Sequence, residues 1–498
     1  MLEARRPALL GTLAVVVLAG PVSAQQPVVD VDPRIPFAMR EIVERSLGAP
    51  EAALETGATV VGKEETRPGS IVQLGGSIVI EGSVEGDVLA VDAEVTLKPS
   101  AVIGGRLTVL AGRFYGTTMA DLGKATVWLP EERIVVEAAP DTVRVRYLPP
   151  ERPFPIGLGG MFGVVLHEYN GVDGLAFGVE AALKDLEGQP PTELAAGPVF
   201  RTDRMEEVGW RVAGFREFPG LNGVRLGGGA HSITHTAQRW HRPDFGNSVS
   251  ALLFANDDRA YHERTGYELW LERSWALTPV TLRVGWRDDD FDSLESETPL
   301  VLFGDDRDWP VNPPIVPGEG RALGLEAALD RRIEGMAGYY LEGAYEHWGF
   351  GGDFGFNAGR VDVRGYAPFG RSFASVRVAA GGRLGGGDTL APQFLYRLGG
   401  AGSVIGYDGL STRLTGDRMA LLNARLHLAL PAGEFDDLYL VGLADVGDAW
   451  LPGQERRWNR GLGAGLAALG RAYLGVFAGY GLESEEWHVY VVARPRFW

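Results

Sequence analysis

Cysteine is missing altogether from this 498-residue chain. That removes disulfides, thiolate metal ligands and a cysteine nucleophile from consideration. Basic residues are few beside acidic ones: 47 Lys and Arg against 65 Asp and Glu give a formal net charge of -18. Nucleic acid selects basic faces, so no nucleic-acid partner is expected. Past the N-terminus no run reaches the roughly 18 apolar residues of a membrane-spanning helix. Motifs that carry chemistry are also wanting. There is no phosphate loop, and Ser403 has Ala401 where a nucleophile elbow needs its first glycine. His231 and His235 stand four apart without the glutamate of a zinc-binding helix. With His241 they are expected to line a loop or an interior wall. Asp288, Asp289, Asp290 and Asp292 lack the glycine and glutamate of an EF-hand and are expected in a solvated loop. No catalytic residue, metal or cofactor is expected.

The N-terminus itself is informative. Arg5 and Arg6 precede the apolar stretch Leu9 to Ala19, and small residues surround Ala24. Residues 1–24 read as a secretory signal peptide. Residues 25–68 read as a linker in which Phe37 to Leu47 makes one short helix, with Phe37, Ile42, Val43 and Leu47 as its apolar face. Between 69 and 118, short β-branched pieces alternate with Gly, Asp and Lys-Pro punctuation. Val84-Glu85-Gly86 recurs as Val102-Ile103-Gly104, an offset of 18 residues. That period fits one coil of a parallel β-solenoid, or alternatively a small β-sandwich. The pattern at Ser83 to Val88 resembles the bactofilin-type polymer-forming repeat. Val84, Val88, Val91, Val95, Val102 and Leu107 are expected to face inward between coils. Further strands are expected at Lys124–Leu129 and Thr142–Tyr147, which closes a small right-handed solenoid-like domain over 69–150. Pro149, Pro150, Pro153 and Pro155 then mark a boundary.

From 151 to 498 the texture changes. Segments of about ten residues alternate in polarity between Gly, Asp and Pro turns, the pattern of an antiparallel transmembrane β-barrel. In Leu421 to Leu430 the even-numbered positions, such as Leu422, Leu426 and Leu428, share one face, while Asn423, Arg425 and His427 share the other. We expect 16 strands, one of them near Val249, since single-chain bacterial barrels prefer even numbers. Joints at 431–437 and 469–472 are short; those at 287–320 and 385–416 are long. Short joints suit the periplasmic side. Tryptophans near strand ends suit an aromatic girdle, and the terminal Phe497-Trp498 suits a recognition signal for barrel assembly. The fold class expected is therefore all-β, a barrel of the bacterial outer membrane preceded by a periplasmic solenoid.

Two stretches of this region resemble the bacterial surface antigen barrels, the BamA/TamA-like superfamily. The first is Leu395-Tyr396-Arg397-Leu398-Gly399-Gly400-Ala401-Gly402-Ser403-Val404-Ile405-Gly406-Tyr407. It is similar to the family's loop between strands 11 and 12, which folds into the lumen. The second, Leu443-Ala444-Asp445-Val446-Gly447-Asp448-Ala449-Trp450, is similar to the family's F-x-D-x-G-x-x-W strand. Tyr169 to Gly174 resembles an opening strand. The resemblance implies a role in outer-membrane protein insertion, export or envelope anchoring; a passive pore or structural barrel is the alternative. It implies as partners outer-membrane lipid, the machinery that inserts the barrel itself, and an envelope polymer or client protein. The departures are specific. Ile405 stands where the family's loop carries the Arg that pairs with the Asp at position 445, and Arg425 stands where a Glu is usual. The βααββ pattern of POTRA domains is lacking upstream. A pair between Arg425 and Asp445, in register across the 431–437 joint, is expected to replace the loop-borne arginine.

Overall fold

The computed structural model describes residues 27–495 apart from 50–51, 116–119, 123–126, 130–133, 140, 149–155, 159–163, 185–191, 219–220, 222, 242–243, 276–278, 298–299, 304–308, 333–336, 386–389, 431–437 and 470–471. The expected signal peptide and the Phe497-Trp498 signal lie outside the described residues.

The N-terminal part is a parallel solenoid. The strand Ile71–Ile80 pairs in parallel with Ala53–Val61 on one side and with Val88–Val91 and Glu94–Leu97 on the other. Leu107–Leu110 and Arg113–Tyr115 add the next coil, Val127–Leu129 begins another, and Thr66–Arg67, Ser83–Val84, Val102–Ile103 and Asp121–Leu122 stack as the third side. The first coil thus lies within the stretch read as a linker. β-branched residues dominate because each coil offers alternate side chains to a closed interior. Val84, Val88, Val95 and Leu107 fill that interior. Two expectations need correction. Val102 is 39% exposed, and the buried residue is Ile103, because Val84 stacks on Ile103 rather than on Val102. Val91 is buried on the opposite face, in a second core with Val43 and Val145.

That second core explains the helix. Helix α1, Phe37–Leu47, lays Val43 against the solenoid's outer face. Beside it, Ile134–Ala139 and Thr142–Tyr147 form a hairpin, to which Val28–Val31 adds a parallel strand. Phe37 faces elsewhere than expected. Its backbone N–H donates to Glu217 at 2.9 Å, and its ring lies against Gly223, where a Cβ would come within 2.5 Å. This contact joins the solenoid end of the molecule to a short joint of the barrel.

Among the described residues the large antiparallel sheet contains sixteen wall strands. They are β1 Val164–Asn170, β2 Gly174–Val179 continuing as Ala181–Lys184, β3 Thr192–Arg201, β4 Gly209–Phe218, β5 Val224–His235, β6 His262–Trp275, β7 Val280–Ser293 and β8 Gly318–Asp330. The second half is β9 Gly338–Gly352, β10 Phe356–Phe369, β11 Ser372–Leu384, β12 Arg418–Ala429, β13 Leu438–Trp450, β14 Asn459–Leu469, β15 Ala472–Gly481 and β16 Trp487–Pro495. Each pairs with its sequence neighbours, and Ile156–Leu158 extends the line of β1 along the second half of β2. Two details differ from the expected list. The segment near Val249 is a helix, α2 (Asp244–Phe254), and β1 supplies the strand that it does not. The acidic run Asp288 to Asp292 lies on β7 instead of in a loop: Asp288 meets Arg321 at 2.9 Å, and Asp289 meets Arg264 at 2.9 Å.

The two faces of the sheet differ as barrel alternation requires. Leu269 and Leu271 on β6, Val361 and Val363 on β10, and Leu422 and Leu426 on β12 are exposed on the outside. Asn423, His427, Asp445 and Asp362 are buried on the inside. An ordinary soluble sheet would reverse this arrangement.

Candidate functional site

The connection between β11 and β12 turns inward. Its neck is a short ladder of Tyr396-Arg397 with Thr415-Gly416. Leu398, Val404, Ile405 and Tyr407 are at most 2% exposed, although they belong to a loop. They are covered because the loop lies on the lumenal faces of β13, β14 and β15, where the wall is paved with glycine. A Cβ on Gly461 would approach the Ile405 carbonyl oxygen to 1.9 Å, and one on Gly479 would approach Ile405 Cγ1 to 2.2 Å. Gly447 admits Val404 in the same way. Backbone thus rests on backbone.

The loop's own glycines serve its turns. Gly400 and Gly406 have φ of 80° and 82°, in the left-handed region that side chains avoid. Gly400 N–H donates to the Tyr407 carbonyl at 2.9 Å, and the Ser403 hydroxyl accepts from Gly399 N–H at 2.5 Å. Gly402 packs against the His241 carbonyl, so a second outer loop, 236–261, is in contact with this one. Arg397 stays in the neck, where it donates to the Thr415 hydroxyl at 3.2 Å.

Asp445 holds the tip. Its carboxylate accepts the Ile405 backbone N–H at 3.1 Å and the Asn423 side-chain amide at 2.8 Å. Arg425 completes the shell with two donors, Nη1 to Oδ1 and Nη2 to Oδ2, the latter at 3.1 Å. Bidentate geometry of this kind is the strong form of a carboxylate pair. The register, however, is not the expected one. Asn423 stands directly opposite Asp445, and Arg425 stands opposite Leu443. Arg425 therefore reaches Asp445 diagonally. At the position where the surface-antigen loop carries arginine, the main-chain N–H of Ile405 makes the contact. Trp450 lies away from the tip, at the far end of β13, where its backbone packs against Gly416 of the neck and its ring lies under Arg456.

Several residues unmarked by sequence reasoning share the work. Arg377 on β11 donates to the Gly402 carbonyl at 3.0 Å and is anchored by Asp362. The Tyr490 hydroxyl accepts Gly406 N–H at 3.0 Å, and Glu483 accepts the Tyr407 hydroxyl at 2.6 Å. The signal for Arg377 was present in Val376-Arg377-Val378, a lone charge between two apolar residues on a barrel strand. A chamber of about 380 Å³ lies beside the loop's neck, lined by Arg239, Arg264, Arg287 and Arg360 and by the rings of Trp348 and Phe394.

The ends of the sheet do not meet as strands. Among the described residues no ladder joins β1 to β16; helix α2, which belongs to the 236–261 loop, touches both. Ser248 Oγ accepts the Tyr169 backbone N–H at 2.8 Å, a group on the free edge of β1. On the lumenal side a buried network locks the helix to β1. Arg259 donates to Glu168 at 2.7 Å and to Asp244 at 2.8 Å, while Asn247 donates to Asp257 at 2.9 Å.

Comparison with protein-family models gives no match, and no curated protein matches the sequence. Several solved structures resemble it. BamA from Haemophilus ducreyi lacking POTRA domains 1–3 aligns at 12% identity over 73% of this chain and 75% of that one, with a TM-score of 0.48. CdiB from Escherichia coli aligns at 14% over 73% and 67%, with a TM-score of 0.43. CdiB from Acinetobacter baumannii aligns at 15% over 73% and 65%, with a TM-score of 0.39. Similarity at this level carries no argument about fold or function, so the fold stands on the strand registers.

Proposed function

We propose that this protein is an outer-membrane β-barrel of the surface-antigen kind that inserts or exports polypeptide. On this reading residues 151–498 are the barrel and residues 69–150 the periplasmic domain, reached from the signal sequence through 25–68. The observation that carries the reading is the seam. Among the described residues β1 and β16 have 7 and 9 residues against 13 to 15 in β7 to β11, and no ladder binds them to one another. A passive pore gains nothing from a discontinuous wall. A machine that passes extended chain to or through the bilayer needs an edge that can open, because unpaired strand edges are what a further strand recognises. The exposed apolar belt supports contact with lipid, and the loop gripped by Asp445 obstructs free diffusion along its side of the lumen. The solenoid, with its bactofilin-like repeat, would present its flat flank to an envelope polymer or client.

Depletion in the producing bacterium tests this. Broad loss of other barrels from the outer membrane supports insertion, and loss of a few surface or secreted polypeptides supports export. Loss of solute uptake alone, with all other envelope proteins intact, would overturn both.

A further inference from the structure

We propose that helix α2 is a lipid-facing piece of the barrel wall, filling the seam between the first and last strands, and is not part of an aqueous outer cap. The argument begins with which way the strands at the seam point. Opposed residues of an antiparallel pair share a face. Ala493 on β16 opposes Leu474, which is 50% exposed on the outside, yet Ala493 is 1% exposed. Tyr169 on β1 opposes Leu175, which is 36% exposed, yet Tyr169 is 9% exposed. These outward side chains flank the seam, and α2 covers both. Gly246 lies so close to β16 that a Cβ there would stand 2.7 Å from the Ala493 carbonyl oxygen, and Ala251 packs in one cluster with Tyr169. The helix therefore sits at the depth of the apolar belt.

Its two sides match its two neighbours. Asp244 and Asn247 turn to the lumenal network with Glu168 and Arg259. Phe245, 60% exposed, and the partly exposed Val249, Leu252 and Leu253 make an apolar stripe at helical spacing. Exposed Leu302 and Phe303 continue it, and their backbone N–H groups donate at 2.9 Å to the Leu252 and Leu253 carbonyls. Carbonyls at a helix end in hydrocarbon must be satisfied by protein, and here they are. A helix can stand in for a strand ladder in lipid because its backbone bonds are internal. The occupant of the stripe is then lipid acyl chain, continuous with that on Val489 of β16 and Leu474 of β15.

The proposal rests on the membrane-spanning reading above, and the test separates the two. Because the chain has no cysteine, single variants Phe245→Cys, Val489→Cys and Met205→Cys each accept one environment-sensitive fluorophore. The full-length barrel is reconstituted in phosphatidylcholine vesicles, and folding is checked by heat-modifiable migration. Expected is blue-shifted emission at 245 and 489, quenched by nitroxide on the acyl chains and insensitive to iodide. Met205, 70% exposed in the β3–β4 loop, should behave oppositely. Aqueous emission at 489 as well as 245 would overturn the membrane reading and this proposal together. Lipid-like emission at 489 with aqueous emission at 245 would overturn this proposal alone. If Phe245→Cys fails to fold, Leu302→Cys takes its place under the same criteria.

Discussion

Asp445 shows how one carboxylate can organise a loop with no basic residue at its tip. Its side chain is 0% exposed and Arg425's is 15% exposed, so the pair is shielded from solvent on one side only. Arg425→Ala leaves the Asn423 and Ile405 donors in place and should cost about 1–3 kcal/mol, the penalty of a charged group short of one partner. The heat-induced unfolding midpoint checks the size. A charge-swapped double variant, Arg425→Asp with Asp445→Arg, should recover part of the loss, but only part: the Ile405 and Asn423 donors would then face a cation. Full additivity of the two single losses would contradict the pair. Independently, Gly461→Val places side-chain atoms where the Ile405 carbonyl lies. The tip should lift, and a cysteine at Ser403, 0% exposed in the intact protein, should become reactive to an impermeant maleimide. The alternation along 421–430 disclosed which residues face the lumen. It could not disclose the register, because the 431–437 joint carries no turn signature that fixes where the hairpin reverses; the true pairing is symmetric about position 434, one residue before the centre that setting Arg425 opposite Asp445 requires.

At the scale of elements, the solenoid's coil is 17 residues between Val84 and Arg67 and 19 between Ile103 and Val84. The 18-residue repeat is an average of the two. The cause is one corner: Lys98 to Ala101 joins two sides that Glu81-Gly82 joins in the coil before, and the longer corner closes with an Ala101 N–H to Lys98 carbonyl bond of 2.9 Å. Sequence similarity aligned Val102 with Val84, but geometry aligns Ile103. Val95→Asp should therefore cost several kcal/mol by putting an unpaired charge in the core, whereas Val102→Asp should be close to neutral by chemical denaturation. The strand before α1 has a pH dependence of its own. Burial of Asp32 opposes its ionisation, yet hydrogen bonds from the Arg34 side chain and from the Arg34 and Tyr147 backbones outweigh this and hold its pKa below the usual value of 3.8. A depressed carboxylate stabilises above the unfolded pKa and loses that contribution as pH falls through the folded one. Docking of Val28–Val31 should weaken below about pH 4, seen as loss of amide protection there. Asp32→Asn should remove the acid dependence and lower protection at neutral pH.

Over the whole molecule, fifteen of the sixteen wall strands were legible because period-two alternation survives any error in a single segment. The segment near Val249 was misread for a physical reason: a short apolar run bounded by polar residues fits a buried strand and a helix equally. Its Asp244 start and the spacing of Phe245, Val249 and Leu252 were the discriminating features. β1 was obscured by the glycines and prolines that precede it. If α2 completes the wall, Gly246→Val should force it off β16 and raise ion conductance in planar bilayers, while the same change at Gly343, where a Cβ meets nothing within 4 Å, should not.

The clasp of this ring lies in the middle of the chain and not at its ends. Order of events follows from that. The first wall strand is made before 236–261 and the last after it, and the Tyr169 N–H on the outer edge of β1 finds its partner, Ser248, only once that segment is in place. Until then each carries a row of bare amides and carbonyls that hydrocarbon will not tolerate. Assembly is thus bound to a schedule: hairpin β5–β6 must deliver its loop before the terminal strand enters lipid, and a chain stalled before that delivery is an open sheet with two sticky borders.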